Sequence, residues 1–270
     1  MFFCKRFKVF IKPNQITGAS KFKFVDASWV MNNPGKGYTF YLNEHIPKAV
    51  HFDLDTVSDQ SSPYPHMVPT VDQFKLFMGD LGITEKDPII VYDKDGTTSA
   101  CRAYWTFKLF NHSSIKILDG GLPSWKSLGF PIDSGIVKTS KTKYVCAMNK
   151  RLIRSFEDIE NNLSEKIVDA RSSGRFYGTD KEPRPIPSGH IPFSVNLPFT
   201  ELLTVDKSLK SIEEIKKILV MKDLKISDPI VCSCGSGVTA SILYAVFEEL
   251  GYDNLSVYDG SWTEYIQRVK

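Results

Sequence analysis

Cys234-Gly235-Ser236-Gly237-Val238-Thr239 is a stretch of this chain whose residue types could do covalent chemistry. It follows a short apolar run at 229–232, which reads as a buried parallel strand. It precedes a helical pattern over Ala240–Leu250 that Gly251 closes as a C-cap. A cysteine between strand and helix meets unpaired helix N–H groups and the positive end of the macrodipole. Gly235 and Gly237 let the backbone curl until successive amides converge on one point, a nest for negative charge. Sulfur held there is favoured as thiolate, the nucleophilic form. The alternative is an inert cysteine buried at a strand end.

Other residues supply polar chemistry at fixed spacing. Gly174-Arg175-Phe176-Tyr177-Gly178-Thr179 and Glu182-Pro183-Arg184 carry two arginines, whose planar forks suit a carboxylate or keto acid. Their bland reading is a solvated charge, or a salt bridge to Asp180 or Glu182. Phe52-Asp53-Leu54-Asp55 leads into a long polar loop, Ser58 through Met67, where α/β folds commonly place ligands. Asp55 and His66 lie there, and read equally as a turn residue and a surface imidazole.

The elements that must position these groups emerge from an internal repeat. Asp26-Ala27-Ser28-Trp29 matches Asp169-Ala170-Arg171-Ser172 at an offset of 143, and the His-Ile-Pro runs from His45 and His190 match at 145. Asp87-Pro88-Ile89-Ile90 matches Asp228-Pro229-Ile230-Val231 at 141, and Leu118-Asp119-Gly120-Gly121 matches Tyr258-Asp259-Gly260-Ser261 at 140. Four ordered matches at nearly constant spacing indicate duplication. Each copy alternates β-rich runs with amphipathic helical stretches, so the expected fold is α/β, two tandem domains each with a central parallel sheet flanked by helices. The expected division is a basic N-terminal segment at 1–20, a non-catalytic domain at 21–133, a linker at 134–148 and a catalytic domain at 149–270. Aligned from Pro88 and Pro229, Asp93 stands opposite Cys234, a carboxylate able to accept the same amides. His45 and His190 repeat while the thiol does not, so both read as buried histidines pinning a turn. Asp119 and Asp259 read as turn residues bonding local backbone, and Trp125 and Trp262 as core anchors.

The 270 residues suit two domains of ordinary size; the composition, 42% hydrophobic and 24% charged with no bilayer-length apolar run, is that of a soluble globular protein. A net charge of +3 gives no case for nucleic acid or membrane as partner. Five cysteines (Cys4, Cys101, Cys146, Cys232 and Cys234) form no disulfide framework, which points to a reducing compartment. Cys232-Ser233-Cys234 could suggest a metal site, but no second Cys or His pair stands at zinc spacing, so no metal is expected. Residues 1–25 carry six basic residues before the first acid, Asp26, interleaved with Phe and Ile. This segment reads either as a mitochondrial transit peptide or as a basic first strand and turn, leaving mitochondrion or cytoplasm open.

The tandem repeat, the Asp-Ala-Ser-Trp and His-Ile-Pro elements and the Cys-Gly-Ser-Gly-Val-Thr loop resemble the two-domain sulfurtransferases of the rhodanese superfamily, from about residue 20 to the end. Within that family, enzymes acting on thiosulfate carry Arg and Lys after the cysteine, whereas those acting on 3-mercaptopyruvate carry Gly and Ser, as Gly235 and Ser236 stand here. The resemblance implies a Cys234 persulfide formed without metal or organic cofactor. Its loop backbone, Gly235, Gly237, Val238 and Thr239, would cradle the anion, and Arg184 and Arg175 would bind the donor's carboxylate. The family pattern Gly-Arg-Phe-Arg-Gly departs here at Tyr177, so that arm of the clamp depends on Arg175. The resemblance further implies a Ser-His-Asp relay of Ser236, His66 and Asp55, and thioredoxin or a small thiol as acceptor, in a monomer or weak dimer.

A cysteine phosphatase would need an arginine after five intervening residues, where Ala240 stands, and a binding module would not need nucleophile, nest and arginines together. Cys232 lies too close along an extended strand for an unstrained disulfide with Cys234.

Overall fold

The computed structural model describes residues 8–162 and 164–269. Cys4 and the opening of the basic segment, on which the transit-peptide reading falls, lie outside the described residues.

The first copy builds β1 (Phe10–Ile11), β2 (Lys23–Asp26), α1 (Lys36–Asn43), β3 (Val50–His51), α2 (Val71–Asp80), β4 (Ile89–Tyr92), α3 (Ser99–Leu109), β5 (Ile115–Leu118) and α4 (Gly121–Ser127). The second builds β6 (Ile153–Arg154), α5 (Phe156–Glu160), β7 (Lys166–Asp169), α6 (Ser173–Tyr177), β8 (Val195–Asn196), α7 (Ile212–Met221), β9 (Ile230–Ser233), α8 (Ala240–Leu250), β10 (Leu255–Tyr258) and α9 (Ser261–Arg268). Strand order is β1-β5-β4-β2-β3 in one sheet and β6-β10-β9-β7-β8 in the other. All pairings within them are parallel. Position for position the orders are the same, as duplication requires.

Continuous apolar strands follow from this arrangement. β4 and β9 lie inside their sheets with both faces covered, so every one of their residues is buried and no polar alternation survives. Helices α3 and α8 go further. Each is buried along nearly its whole length because its own sheet covers one side and its counterpart in the other copy covers the other. One continuous apolar core therefore runs through both copies, including Phe74, Trp105 and Phe107 from the first and Ile215, Leu243 and Phe247 from the second. Burying each such side chain contributes about 1.5–3 kcal/mol, which ties the two halves together. Trp125 and Trp262 anchor separate clusters on the outer faces of their sheets, as expected of core residues.

The residues expected as linker run without helix or strand along the first copy. Thr142 N–H donates to Gly79 C=O (3.0 Å), its hydroxyl donates to Ile83 C=O (2.6 Å), and Tyr144 is buried. Asp119 and Asp259 do more than bond local backbone. Asp119 Oδ1 accepts from Leu209 N–H (2.8 Å) and Asp259 Oδ2 from Val68 N–H (2.7 Å). These bonds are counterparts across a pseudo-twofold axis, and each crosses between copies. Single-copy reasoning about Asp-Gly turns misses them because their partners lie far away in sequence. His45 is buried, with both ring nitrogens facing backbone carbonyls of Ile46 and Gly135, as expected. His190 differs: it is exposed, stacked on Phe176 with ring centroids 4.1 Å apart, with Nδ1 against Phe176 C=O.

Candidate active site

Strand β9 delivers Cys234 to the end of the second sheet, 2% exposed, where the 234–239 loop turns into α8. Cys234 N–H and Gly237 N–H both donate to Ser261 Oγ at 3.1 Å, and that hydroxyl donates to Tyr258 C=O. The loop carbonyls turn into the protein. Cys234 C=O accepts from Trp262 N–H (3.0 Å), and Gly235 C=O from Thr263 N–H and the Thr263 hydroxyl. Gly237 C=O accepts from the Ser241 hydroxyl and from Arg102 Nη1. With these carbonyls engaged by the protein, the amides of Gly235, Ser236, Val238 and Thr239 take no acceptor from the described residues. That leaves a run of unpaired N–H groups in the loop that begins at Cys234, suited to an anion. Gly237 sits at φ +77°, and a Cβ there would lie 2.6 Å from Arg102 Nη1 and 2.9 Å from Asp259 C=O, so both conformation and space call for glycine.

The first copy shows what the cradle does when its occupant is built in. Asp93 stands at the end of β4, where Cys234 stands at the end of β9. Its carboxylate accepts from Asp95 N–H (3.1 Å), Thr98 N–H (2.9 Å) and Ala100 N–H (2.9 Å). The expectation that Asp93 takes the amides of its own loop is met.

His66 and Asp55 come from the first copy and meet Ser236 of the second. His66 Nδ1 lies 3.0 Å from Ser236 Oγ, and His66 Nε2 lies 3.3 Å from Asp55 Oδ1. Trp29 Nε1 donates to the same Asp55 oxygen at 2.8 Å, and the Trp29 ring stands edge-on to the imidazole. The carboxylate only accepts, so Nε2 carries the proton toward Asp55 and Nδ1 is left to accept from the Ser236 hydroxyl. Burial pushes the His66 imidazole below its ordinary value; Asp55 pulls the other way, while Arg102 and Arg184 add to the depression. Burial lifts Asp55, but hydrogen bonds from His66 and Trp29 outweigh it and hold the carboxyl below its ordinary value. Both shifts favour a neutral imidazole beside a carboxylate. His66 itself sits at φ +62°, uncommon for a residue with a side chain, and its counterpart Lys207 sits at φ +59°.

Arg184 Nη2 donates to Ser236 Oγ at 3.2 Å. Burial lowers the proton affinity of its guanidinium and the Cys234 sulfur raises it, though arginine stays charged throughout. Arg175 reaches the same place by another route. A Cβ on Gly235 would lie 2.8 Å from Arg175 Nη2 and 3.7 Å from Arg184 Nη1, so glycine leaves room for both guanidinium groups beside the loop. Arg175 is also in the salt bridge its bland reading foresaw: Nη2 lies 2.6 Å from Glu182 Oε2. Glu182 is buried and shared, its Oε1 taking Arg171 Nη1 at 2.7 Å. Tyr177 points elsewhere and is 67% exposed. A cleft of about 410 Å3, lined by Tyr64, Pro65, Arg184, Ile186 and Thr263, opens beside Arg184. No cluster of three or more His, Cys, Asp or Glu fit to hold a metal occurs among the described residues.

Cys234, Ser236, His66, Asp55, Arg184 and Arg175 thus converge. Sequence reasoning missed Ser261 and Thr263, which shape the loop, the second bond by which Glu182 also holds Arg171, and Arg102. For Arg102 a signal existed, a charge set between Cys101 and Ala103 in the first half of α3, away from the helix end where Lys108 stands. Cys232 is fully buried, with its thiol pushed well up by burial, and takes no part in the cradle.

Known proteins bear on this arrangement. The model of the rhodanese-like domain matches residues 15–128 and again 154–268. The chain is 41% identical over 255 residues to the 3-mercaptopyruvate sulfurtransferase of Rattus norvegicus, covering 92% of this chain and 86% of that one. It is 35% identical over 254 residues to the thiosulfate sulfurtransferase of the same organism, with the same coverage. The crystal structure of SseA from Escherichia coli is similar in fold, with a TM-score of 0.85 at 31% identity over 95% of this chain and 99% of that one.

Proposed function

The chain belongs to the rhodanese family, as two such domains in tandem and an enzyme of the sulfurtransferase class, and on that premise we propose that it moves a sulfane sulfur from 3-mercaptopyruvate, through a Cys234 persulfide, to a thiol acceptor or cyanide. The observation that supports this reading is Ser236. Its hydroxyl, two residues from the thiol, meets His66 Nδ1 at 3.0 Å and Arg184 Nη2 at 3.2 Å, joining a proton acceptor from one copy to a cation from the other.

In this reading Arg184 and Arg175 hold the donor's carboxylate and orient its sulfur toward Cys234. The thiolate attacks that sulfur, a sulfur–sulfur bond forms, and the carbon–sulfur bond breaks with its electron pair passing to carbon as pyruvate enolate. The donor's thiol proton moves through Ser236 to His66, where Asp55 steadies the imidazolium, and returns to the enolate to give pyruvate. The outer sulfur of the persulfide, now anionic, rests against the amides of Gly235, Ser236, Val238 and Thr239. An acceptor thiolate, of thioredoxin or a small thiol, then attacks the outer sulfur and Cys234 thiolate leaves. Cyanide takes the same sulfur to give thiocyanate.

Thiosulfate, the donor named for related enzymes, lacks a carboxylate and brings two negative charges to a loop with no cation between Cys234 and Thr239. Losing one charged hydrogen bond costs roughly 1.5–3 kcal/mol, so thiosulfate should be slower by about tenfold or more. The deciding experiment measures pyruvate and sulfide release with each donor, for the intact enzyme and for Cys234→Ser. Preference for 3-mercaptopyruvate, abolished in the variant, is expected. A folded Cys234→Ser enzyme that still transfers sulfur would overturn the persulfide, and preference for thiosulfate would overturn the donor assignment.

A further inference from the structure

Arg102 is a buried cation of the copy that has no thiol, and its donors are spent on the other half of the site. Nη2 lies 2.7 Å from Asp259 Oδ1 and also donates to His66 C=O, while Nη1 donates to Gly237 C=O at 3.4 Å. The guanidinium lies 4.5 Å from the centre of the Trp105 ring, and the residue is 3% exposed. Asp259 in turn accepts from Val68 N–H on its other oxygen, so one ion pair grips residues 66 and 68 of one copy and 237 of the other. Two of those residues hold left-handed backbone, His66 at φ +62° and Gly237 at φ +77°. For His66 that conformation is uphill, and a charged donor on its carbonyl is one way to keep it there. The pseudo-twofold mate of Arg102 is Leu243, so the clamp exists only on the side that carries Cys234.

We propose that Arg102 is a positioning residue for sulfur transfer, fixing the backbone of His66 and Gly237 so that the imidazole meets the Ser236 hydroxyl. The inference rests on the reading of His66 as proton acceptor. Geometry makes the role specific. The carbonyls held by Arg102 belong to His66 itself and to the residue after Ser236, so losing the clamp lengthens the very contact that moves the proton. Charge makes it readable. The groups facing His66 are Asp55, Arg102, Arg184 and, through the clamp, Asp259. Removing the Arg102 charge takes away a repulsion against imidazolium and leaves Asp259 unopposed, and both changes raise the pH at which His66 takes a proton.

The test compares Arg102→Lys and Arg102→Met with the intact enzyme in the full chain, using 3-mercaptopyruvate and a small thiol. Folded fraction is checked by circular dichroism, and the His66 ring protons are followed by NMR titration, assigned through His66→Asn. For Arg102→Met, kcat should fall about 10- to 100-fold with little change in KM, as expected for a lost charge-assisted hydrogen bond felt in the transition state. Because His66 must be neutral to accept, the acidic limb of the rate profile and the imidazole titration should both move to higher pH. Arg102→Lys keeps the charge but not the fork, so kcat should fall while both titrations stay near those of the intact enzyme. Wild-type kcat with an unmoved imidazole titration in either folded variant overturns the proposal. So does a loss confined to thermal stability. If Arg102→Met does not fold, Arg102→Lys decides by its kcat. A His66→Asn enzyme with wild-type turnover would instead overturn the underlying relay, whatever Arg102 does.

Discussion

Asp26 and Asp169 end the same strand in the two copies, and their neighbours make them opposites. Asp169 is locked by Arg171, whose Nη2 lies 2.6 Å from Oδ2. Asp26 faces Ser28 at the matching place. Its Oδ1 accepts from Ser28 N–H at 2.8 Å, and its Oδ2 has no hydrogen-bond partner among the described residues. Burial, with the nearby Asp93 charge and opposed in part by Ser28 and the Tyr92 hydroxyl, pushes this carboxyl from 3.8 up to about 6. An acid whose folded-state value is raised binds protons better folded than unfolded. Its contribution is fully present below about pH 3.8 and is lost as pH rises through about 6. Across that window the loss amounts to roughly 3 kcal/mol, at about 1.4 kcal/mol for each pH unit. Asp26→Asn removes the charge and keeps the oxygen that accepts from Ser28. Its unpaired Nδ2 takes back about 1 kcal/mol. The variant should therefore be more stable than the intact enzyme by about 2 kcal/mol at pH 7.5, and the advantage should shrink to near zero at pH 4.5. Urea unfolding followed by tryptophan fluorescence at the two pH values measures this directly. An advantage that does not change between them, or an intact enzyme that is the more stable at pH 7.5, refutes the argument from an uncompensated buried charge.

Glu182→Gln should destabilise by about 3 kcal/mol, because it leaves Arg171 short of a buried partner, and should raise KM as Arg175 loses its anchor; urea unfolding and steady-state kinetics check the two effects. Gly235→Ala should leave the melting temperature nearly unchanged, since the Cβ meets no backbone, only side-chain ends, Arg175 at 2.8 Å and Arg184 at 3.7 Å, while KM for 3-mercaptopyruvate rises about tenfold. Cys232→Ala should leave turnover within about twofold and cost about 1 kcal/mol of stability. Intact mass after donor treatment should show one added sulfur in that variant and none in Cys234→Ser.

The fold was legible because duplication wrote each element twice. Asp-Pro-Ile-Ile and Asp-Pro-Ile-Val mark equivalent central strands, and the register between copies follows from their spacing. The loop around Cys234 was legible for a local reason: glycine, a strand before and a helix after are features of one short segment. His66 and Asp55 were placed through resemblance, since nothing in the chain between residues 66 and 236 says that they meet. Ser261 and Thr263 stayed out of sight because each acts on the backbone of the loop, and hydrogen bonds to amides and carbonyls leave no mark in residue type. Asp119 and Asp259 show the same limit. An aspartate before glycine reads as a turn whether or not it also reaches a distant amide.

The pairing of α3 with α8, with Asp119 on Leu209 and Asp259 on Val68, has the pattern of a two-fold dimer interface built within one chain. The segment between the two rhodanese-like domains then sets an effective concentration, on the order of millimolar for a short tether, for an association that would otherwise be bimolecular. Because His66 and Cys234 lie on opposite halves, activity per molecule is expected to be insensitive to dilution while the tether is whole. Cleavage at its exposed lysines, Lys138 or Lys141, would leave every contact of the site in place yet make turnover fall on dilution, with a midpoint equal to the dissociation constant of the two halves.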